Sequence, residues 1–215
     1  MSVDAGFPPI ARNRELNLGL EGRKGDGFLL TIIMVNYETT IEVGSIIRSF
    51  VEHSPPFEFN TEFFVIDNNS RIYPIESLRI PPSCRDIVTV IKNRENLGYA
   101  PAASSVSNQV KGDLVLFLNP DVIPGDWSWL SDLVEFMMCR EDVGAAAPLI
   151  FSSDGKVFLG GSYNFWLPTI RLCERTLDRD TIELVSSKRV PLAYPWVSGA
   201  SLLTRRALFK ELGGF

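Results

Sequence analysis

A chain of 215 residues, 45% hydrophobic and 22% charged, is long enough to bury a substantial core and short enough to form one domain. Its net charge of −5, without any Lys/Arg cluster, excludes broad electrostatic binding to nucleic acid, because a phosphate backbone requires a positive field. Cys84, Cys139 and Cys173 have neither the spacing of a disulfide framework nor that of a zinc site, which fits a reducing, cytoplasmic compartment.

The longest apolar stretches, residues 29–35 and 143–151, fall short of the roughly 20 residues of a membrane span. No transmembrane segment is expected, which leaves peripheral association at the inner face of a membrane open. Residues 1–27 lack the apolar core of a signal peptide, are rich in Gly, Pro and charge, and read as a flexible leader.

Residues 29–37, LLTIIMVNY, form a β-branched apolar run that suits a strand covered on both faces, the signature of a parallel sheet. Residues 40–53 place Ile41, Ile46, Ile47, Phe50 and Val51 at helical spacings, and Pro55-Pro56 ends the pattern. The alternation continues with strands at 63–68 (FFVIDN), 87–93 (IVTVIKN) and 113–119 (DLVLFLN), a weakly helical stretch at 100–110, and a helix at 127–139.

Strands alternating with helices imply βαβ units. The expectation is a doubly wound, Rossmann-like α/β domain with a mostly parallel central sheet and helices on both faces. Residues 151–195 lose this periodicity and read as irregular or antiparallel structure laid over one sheet edge. Regularity returns with a strand at 196–203, Thr204 as a helix N-cap, a helix at 205–212 and Gly213 as its C-terminal cap.

In an open parallel sheet, ligands bind outside the carboxyl ends of the strands. Three polar clusters fall there: Asn36-Tyr37-Glu38, Asp67-Asn68-Asn69-Ser70 and Asn119-Pro120-Asp121. Asp, Asn and Ser are also ordinary turn formers and helix caps, so each cluster alone says little. Their weight comes from repetition along one edge. Asp67 can accept hydrogen bonds from a base N–H or a ribose hydroxyl, with Asn36 or Glu38 lining the same pocket. Asp121 is the better metal candidate, because a hard carboxylate beside a diphosphate suits Mg²⁺ or Mn²⁺.

These segments resemble the family-2 glycosyltransferases of GT-A fold, and within them the rhamnosyltransferase-like branch. The matching motifs are MVNYE, VIDNNS, the N-x-G-aromatic-A stretch at 96–100, FLNPD and the final WVSGASLLTRRALFKELGGF, in that order from about Thr31 to the last residue. The resemblance implies a GT-A domain over 28–215, with a nucleotide-binding part at 28–125 and an acceptor-side part at 126–215. It implies a nucleotide pocket made by Asn36, Tyr37, Glu38, Asp67, Asn69, Asn96 and Gly98, with Asp67 on the base.

The resemblance further implies a donor/acceptor edge at Asn119, Trp196, Ser198 and Gly199. Asp121 becomes the metal ligand of a D-x-D motif whose first Asp is here Asn119. The donor is then a TDP- or UDP-linked sugar, and the acceptor a saccharide or a lipid-linked glycan of polysaccharide biosynthesis. Ser104 and Val106 stand where related sequences carry Asn and Gly, which implies an altered donor contact. The family continues past G-G-F with an acidic segment that supplies the general base, so the resemblance places that base beyond Phe215 and implies a C-terminally truncated enzyme.

An inverting transfer needs the acceptor hydroxyl deprotonated as it attacks the anomeric carbon and the departing diphosphate stabilised. Within the sequence, Asp154, Asp178 and Asp180 are further carboxylates for the base role, although solvation is the ordinary fate of such residues. His53, the only histidine, sits at a helix end and fits capping rather than a Ser-His-Asp arrangement. A second reading is a truncated or degenerate glycosyltransferase-like module that binds nucleotide or a partner without turnover. A third, a sugar-phosphate nucleotidyltransferase, calls for a Gly-rich basic loop after the first strand, which MVNYETT does not supply.

Overall fold

The computed structural model describes residues 28–151, 157–163, 170–174 and 197–215. The expected leader at 1–27, together with Trp196, Asp154, Asp178 and Asp180, lies outside the described residues.

A six-stranded sheet is built from β1 (Leu29–Asn36), β2 (Asn60–Asp67), β3 (Val88–Lys92), β4 (Leu114–Leu118), β5 (Ala145–Ala146) and β9 (Ser201–Arg205), in the order β3-β2-β1-β4-β9-β5. The first four strands run parallel, whereas β9 pairs antiparallel with both β4 and β5. The mostly parallel α/β architecture read from the sequence is therefore the one observed.

Alternation along the central strands divides the core into two layers. Leu30, Ile32 and Met34 of β1 join Phe63, Val65, Leu114, Leu116 and Leu118 on one face. There they meet Val43, Ile46, Ile47 and Phe50 of α1 (Thr40–His53) and Leu130, Val134 and Met137 of α3 (Ser128–Cys139). On the other face Ile33, Val35, Phe64, Ile66, Val115 and Phe117 pack against Ala102 and Ala103 of α2 (Tyr99–Ser104) and Phe209 of α4 (Arg206–Glu211). Each large apolar side chain fully buried this way contributes about 1.5–3 kcal/mol, which makes a two-layer core the dominant stabilising term.

The helix expected from Trp127 begins one residue later. Trp127 has a left-handed backbone (φ 62°), unusual for a bulky residue, yet its side chain is fully buried. Its indole donates to Ser49 Oγ at 3.2 Å and meets Phe50 edge-on at 5.1 Å between centroids. Tertiary packing thus fixes the start of α3.

Two sequence readings near the C-terminal end are corrected. The strand expected at 196–203 starts only at Ser201, because residues 199–200 form a turn whose Ala200 N–H donates to Ser198 Oγ. Thr204 lies inside β9, where its hydroxyl donates to the Gly144 carbonyl, so it is not a helix cap. Gly213 does close α4: with φ at 79° it donates to the Lys210 carbonyl while Gly214 donates to Phe209. Within the segment that lacks periodicity, β6 (Ile150–Phe151), β7 (Val157–Tyr163) and β8 (Ile170–Glu174) form a separate antiparallel sheet.

Candidate donor-binding site

The parallel pairing sets the site. Asn36 and Asp67, the last residues of β1 and β2, stand opposite each other in register, and Asn119 follows β4 on the other side of β1. The polar ends of β1 and β2 and the β4 turn therefore fall on the carboxyl edge.

Asn36 and Asp67 are fully buried. The Asn36 amide donates to Asp67 Oδ1 at 2.8 Å, Thr40 Oγ1 at 3.0 Å and Ser70 Oγ at 3.2 Å, while its carbonyl oxygen accepts from the backbone and hydroxyl of Thr39. Asn36 is thus occupied in holding Asp67. Asp67 Oδ1 also accepts a long bond from the Ser70 N–H, but Oδ2 is buried without a partner among the described residues. An orphaned buried acceptor costs roughly 1–3 kcal/mol, more when charged, and is a candidate contact for a ligand N–H.

Glu38 has a different task. Its backbone is left-handed (φ 60°), and its carboxylate accepts the N–H groups of Arg71, Ile72 and Tyr73 at 2.7, 2.9 and 2.9 Å. Those backbone bonds hold the carboxyl below its ordinary value. Both oxygens are engaged, so Glu38 clips the loop after β2 to the loop after β1. Between Asn36 and Glu38, Tyr37 presents a half-exposed ring at the rim, and Asn69 is half-buried with φ at 68°.

The loop joining β3 to α2 carries Asn96 and Gly98. Asn96 Oδ1 accepts from Gly98 N–H and from the Asn68 amide, which leaves its own amide N–H groups outward on an exposed residue. Gly98 precedes α2 with φ at 80°, a conformation that an L side chain adopts only under strain. The hydroxyl of Tyr99, the next residue, is pushed up to about 12 by burial and, second, by the charge of Asp121.

Asp121 is exposed on the turn after Asn119. The Asn119 N–H donates to the Ala200 carbonyl at 2.8 Å, which brings Ser198 and Gly199 against the Asn119 turn. The turn at 198–200 and the Asn119 turn are therefore neighbours on the carboxyl edge. Ser104 and Val106, the positions that depart from the family pattern, are tied into the fold: Ser104 Oγ accepts the Phe215 N–H at 2.9 Å and Val106 is fully buried.

Sequence reasoning placed Asn68 and Ser70 in a polar strand-end cluster without giving either a role, and passed over Thr40. Each is buried although polar, and each bonds across loops. A polar groove of about 540 Å³, lined in part by Phe59, Glu62, Asp86, Thr89 and Lys111, opens at the opposite, amino end of the sheet and contains none of the predicted site residues. Among the described residues no group of three or more His, Cys, Asp or Glu could hold a metal, and no helix is long and apolar enough to cross a membrane.

A mostly parallel sheet with polar strand ends gathered on its carboxyl edge defines an open α/β domain of the class that takes ligands at that edge. The protein belongs to glycosyl transferase family 2, whose sequence profile matches residues 31–212. No curated protein sequence matches it significantly. Its fold is similar to that of a mannosyltransferase from Pyrobaculum calidifontis in complex with GDP-Man and Mn²⁺ (TM-score 0.59, 19% identity), covering 86% of this chain and 47% of that one. It is similar to GalNAc-T7 with UDP, GalNAc and Mn²⁺ (TM-score 0.59, 18% identity; 86% of this chain, 36% of the other). Staphylococcus aureus TarS 1–349 is a third similar structure (TM-score 0.55, 17% identity; 86% and 49%). This protein thus spans about half or less of the chains it resembles.

Proposed function

We propose that this domain binds a nucleoside diphosphate sugar and takes part in inverting transfer of the sugar to a saccharide or lipid-linked acceptor. The observation that carries the reading is Asp67: a buried carboxylate, braced through Oδ1 by Asn36, keeps Oδ2 without a partner among the described residues at the carboxyl edge. The ring N–H of uracil or thymine is a matching donor, which favours UDP or TDP, and Tyr37 offers an aromatic face at the rim.

The residues at the edge fit a divalent metal held jointly with the ligand. Mg²⁺ is commonly bound by one or two protein carboxylates plus substrate phosphates, and Asp121 is one exposed carboxylate beside the Asn119 turn. Asp121 would hold the metal, Mg²⁺ or Mn²⁺, with the donor diphosphate. When bound, the ion neutralises charge developing on the leaving diphosphate. Asn119, Ser198 and Gly199 shape the side where sugar and acceptor meet. The motif resemblance supports a rhamnosyltransferase-like donor sugar, a role in polysaccharide biosynthesis, and a site in the cytoplasm or at the inner face of a membrane.

A second reading, a module that binds nucleotide or a partner without turnover, is favoured by Asn119 standing where the metal motif carries its first carboxylate. Calorimetric titration of the folded protein with UDP and TDP, with and without Mn²⁺, tests the proposal. Binding strengthened by Mn²⁺ supports it; no binding of either nucleotide overturns it. Sugar release from a bound donor then separates the enzyme from the binding module.

A further inference from the structure

We infer that Asn68 is the positioning residue that locks the loop at residues 93–98 beside Asp67 and the base pocket. The inference rests on the donor-binding reading and goes beyond it by giving a role to a residue to which the sequence pattern assigned none.

Asn68 follows Asp67 directly and is 2% exposed. Its side chain has two acceptor and two donor positions, and all four are used on one loop. Oδ1 accepts from the Asn93 amide at 3.1 Å and from the Leu97 N–H at 3.0 Å; Nδ2 donates to Asn96 Oδ1 at 2.8 Å and to the Gly98 carbonyl at 3.1 Å. Residues 94–98 are themselves exposed; among the described residues three of their hydrogen bonds end on Asn68, beside one from the Ala102 N–H of α2 to the Gly98 carbonyl, while the Asn93 N–H holds the start of the loop to the Asp67 carbonyl at 2.8 Å.

Position gives this clasp its consequence. One residue before Asn68, Asp67 holds the free buried oxygen; at the other end of the loop, Gly98 opens α2 on the same carboxyl edge of the sheet. A loop without its clasp would sample many conformations, and a ligand would have to order it on binding, which lowers affinity with no contact to the ligand being lost. A Ser, Thr or apolar residue at 68 cannot restore the pattern, because only a carboxamide presents paired donors and acceptors of this length there.

The test is titration of UDP in Mn²⁺ against wild type, Asn68→Ala and Thr31→Val, each well below its melting temperature. Thr31 is buried at the amino end of β1, where its hydroxyl bonds Glu62 and Gly112, so its loss perturbs stability away from the site. Asn68→Ala is expected to raise the Kd about tenfold or more, the scale at which loss of an outer-shell partner acts, while Thr31→Val leaves it unchanged. Adding Asn96→Ala to Asn68→Ala should then weaken binding by less than Asn96→Ala does alone, because Asn96 is already unclasped.

If Asn68→Ala does not fold, Asn68→Asp serves instead: it keeps the accepted bonds, loses the donated ones and predicts the same rise in Kd. Unchanged affinity in folded Asn68 variants, with wild type binding UDP, overturns this inference alone. Failure of wild type to bind UDP overturns the inference together with the reading beneath it.

Discussion

Asp67→Asn separates a ligand-binding carboxylate from a structural one, because the two roles predict opposite signs. The substitution is isosteric, and Oδ1 can still accept from Asn36 at 2.8 Å and from the Ser70 N–H. What changes is the second atom. Oδ2, buried and unpartnered, becomes an amide donor and the buried charge disappears. The new amide is as orphaned as the oxygen it replaces, so the gain is limited to the extra cost that a charge adds to a buried unsatisfied group, and relief of about 1 kcal/mol is expected in the free protein. For a protein of this size that raises the melting temperature by about 2–4 °C. Binding moves the other way: a hydrogen bond to a charged group contributes about 1.5–3 kcal/mol, or about 10- to 150-fold in affinity, and the new amide faces a donor on the base. Differential scanning fluorimetry and calorimetry on one preparation measure both quantities. A lower melting temperature with unchanged nucleotide affinity would refute the argument and make Asp67 a loop brace.

Three other outcomes are expected. Asp121→Ala should abolish the Mn²⁺-dependent part of UDP affinity and leave the melting temperature within ~1 °C, since an exposed turn carboxylate adds little to packing; equal metal dependence in variant and wild type removes Asp121 from that role. The Glu38 clip should loosen in acid: its folded value is depressed below 4.5, so its contribution is present above 4.5 and lost as pH falls through the lower folded value. Protection of the Arg71, Ile72 and Tyr73 amides against hydrogen exchange, taken relative to an unstructured chain at the same pH, should fall below that point, and protection insensitive to acid would contradict the clip. Gly112→Ala should destabilise by at least ~1 kcal/mol, because a Cβ there would lie 2.5 Å from Thr31 Oγ1 and 2.6 Å from Thr31 N; a denaturant midpoint equal to wild type would show that the approach relaxes freely.

The central strands were legible because a parallel strand covered on both faces has to be largely apolar, as residues 29–35 are apart from Thr31, and α1 because its buried positions repeat at helical spacing. The start of β9 was not, since Ser198 and the Asn119 turn, distant in sequence, decide where the backbone stops turning and starts pairing. The site was legible as a location and less so as chemistry. Asn36, Glu38 and Asp67 all read as polar groups awaiting a ligand, yet bonds spanning about 30 residues engage Asn36 and Glu38 and leave only Asp67 Oδ2 unengaged. Asn68 read only as one member of a polar cluster, because nothing local reveals that its amide is buried against a loop 25–30 residues further on. Conversely, the single carboxylate at Asp121 was visible at once, because substitution by Asn119 shows in the sequence itself.

Amide chemical-shift mapping of the isotope-labelled protein during titration with UDP and Mn²⁺ tests the central claim most directly, because it reports where a nucleotide binds as well as whether it does. The account predicts shifts confined to the carboxyl edge, at Tyr37, Asp67, Asn68, Gly98 and Asp121, with Phe59, Glu62, Asp86 and Lys111 at the amino-end groove unmoved. Shifts centred on that groove, or no saturable shifts from a folded protein, would contradict it.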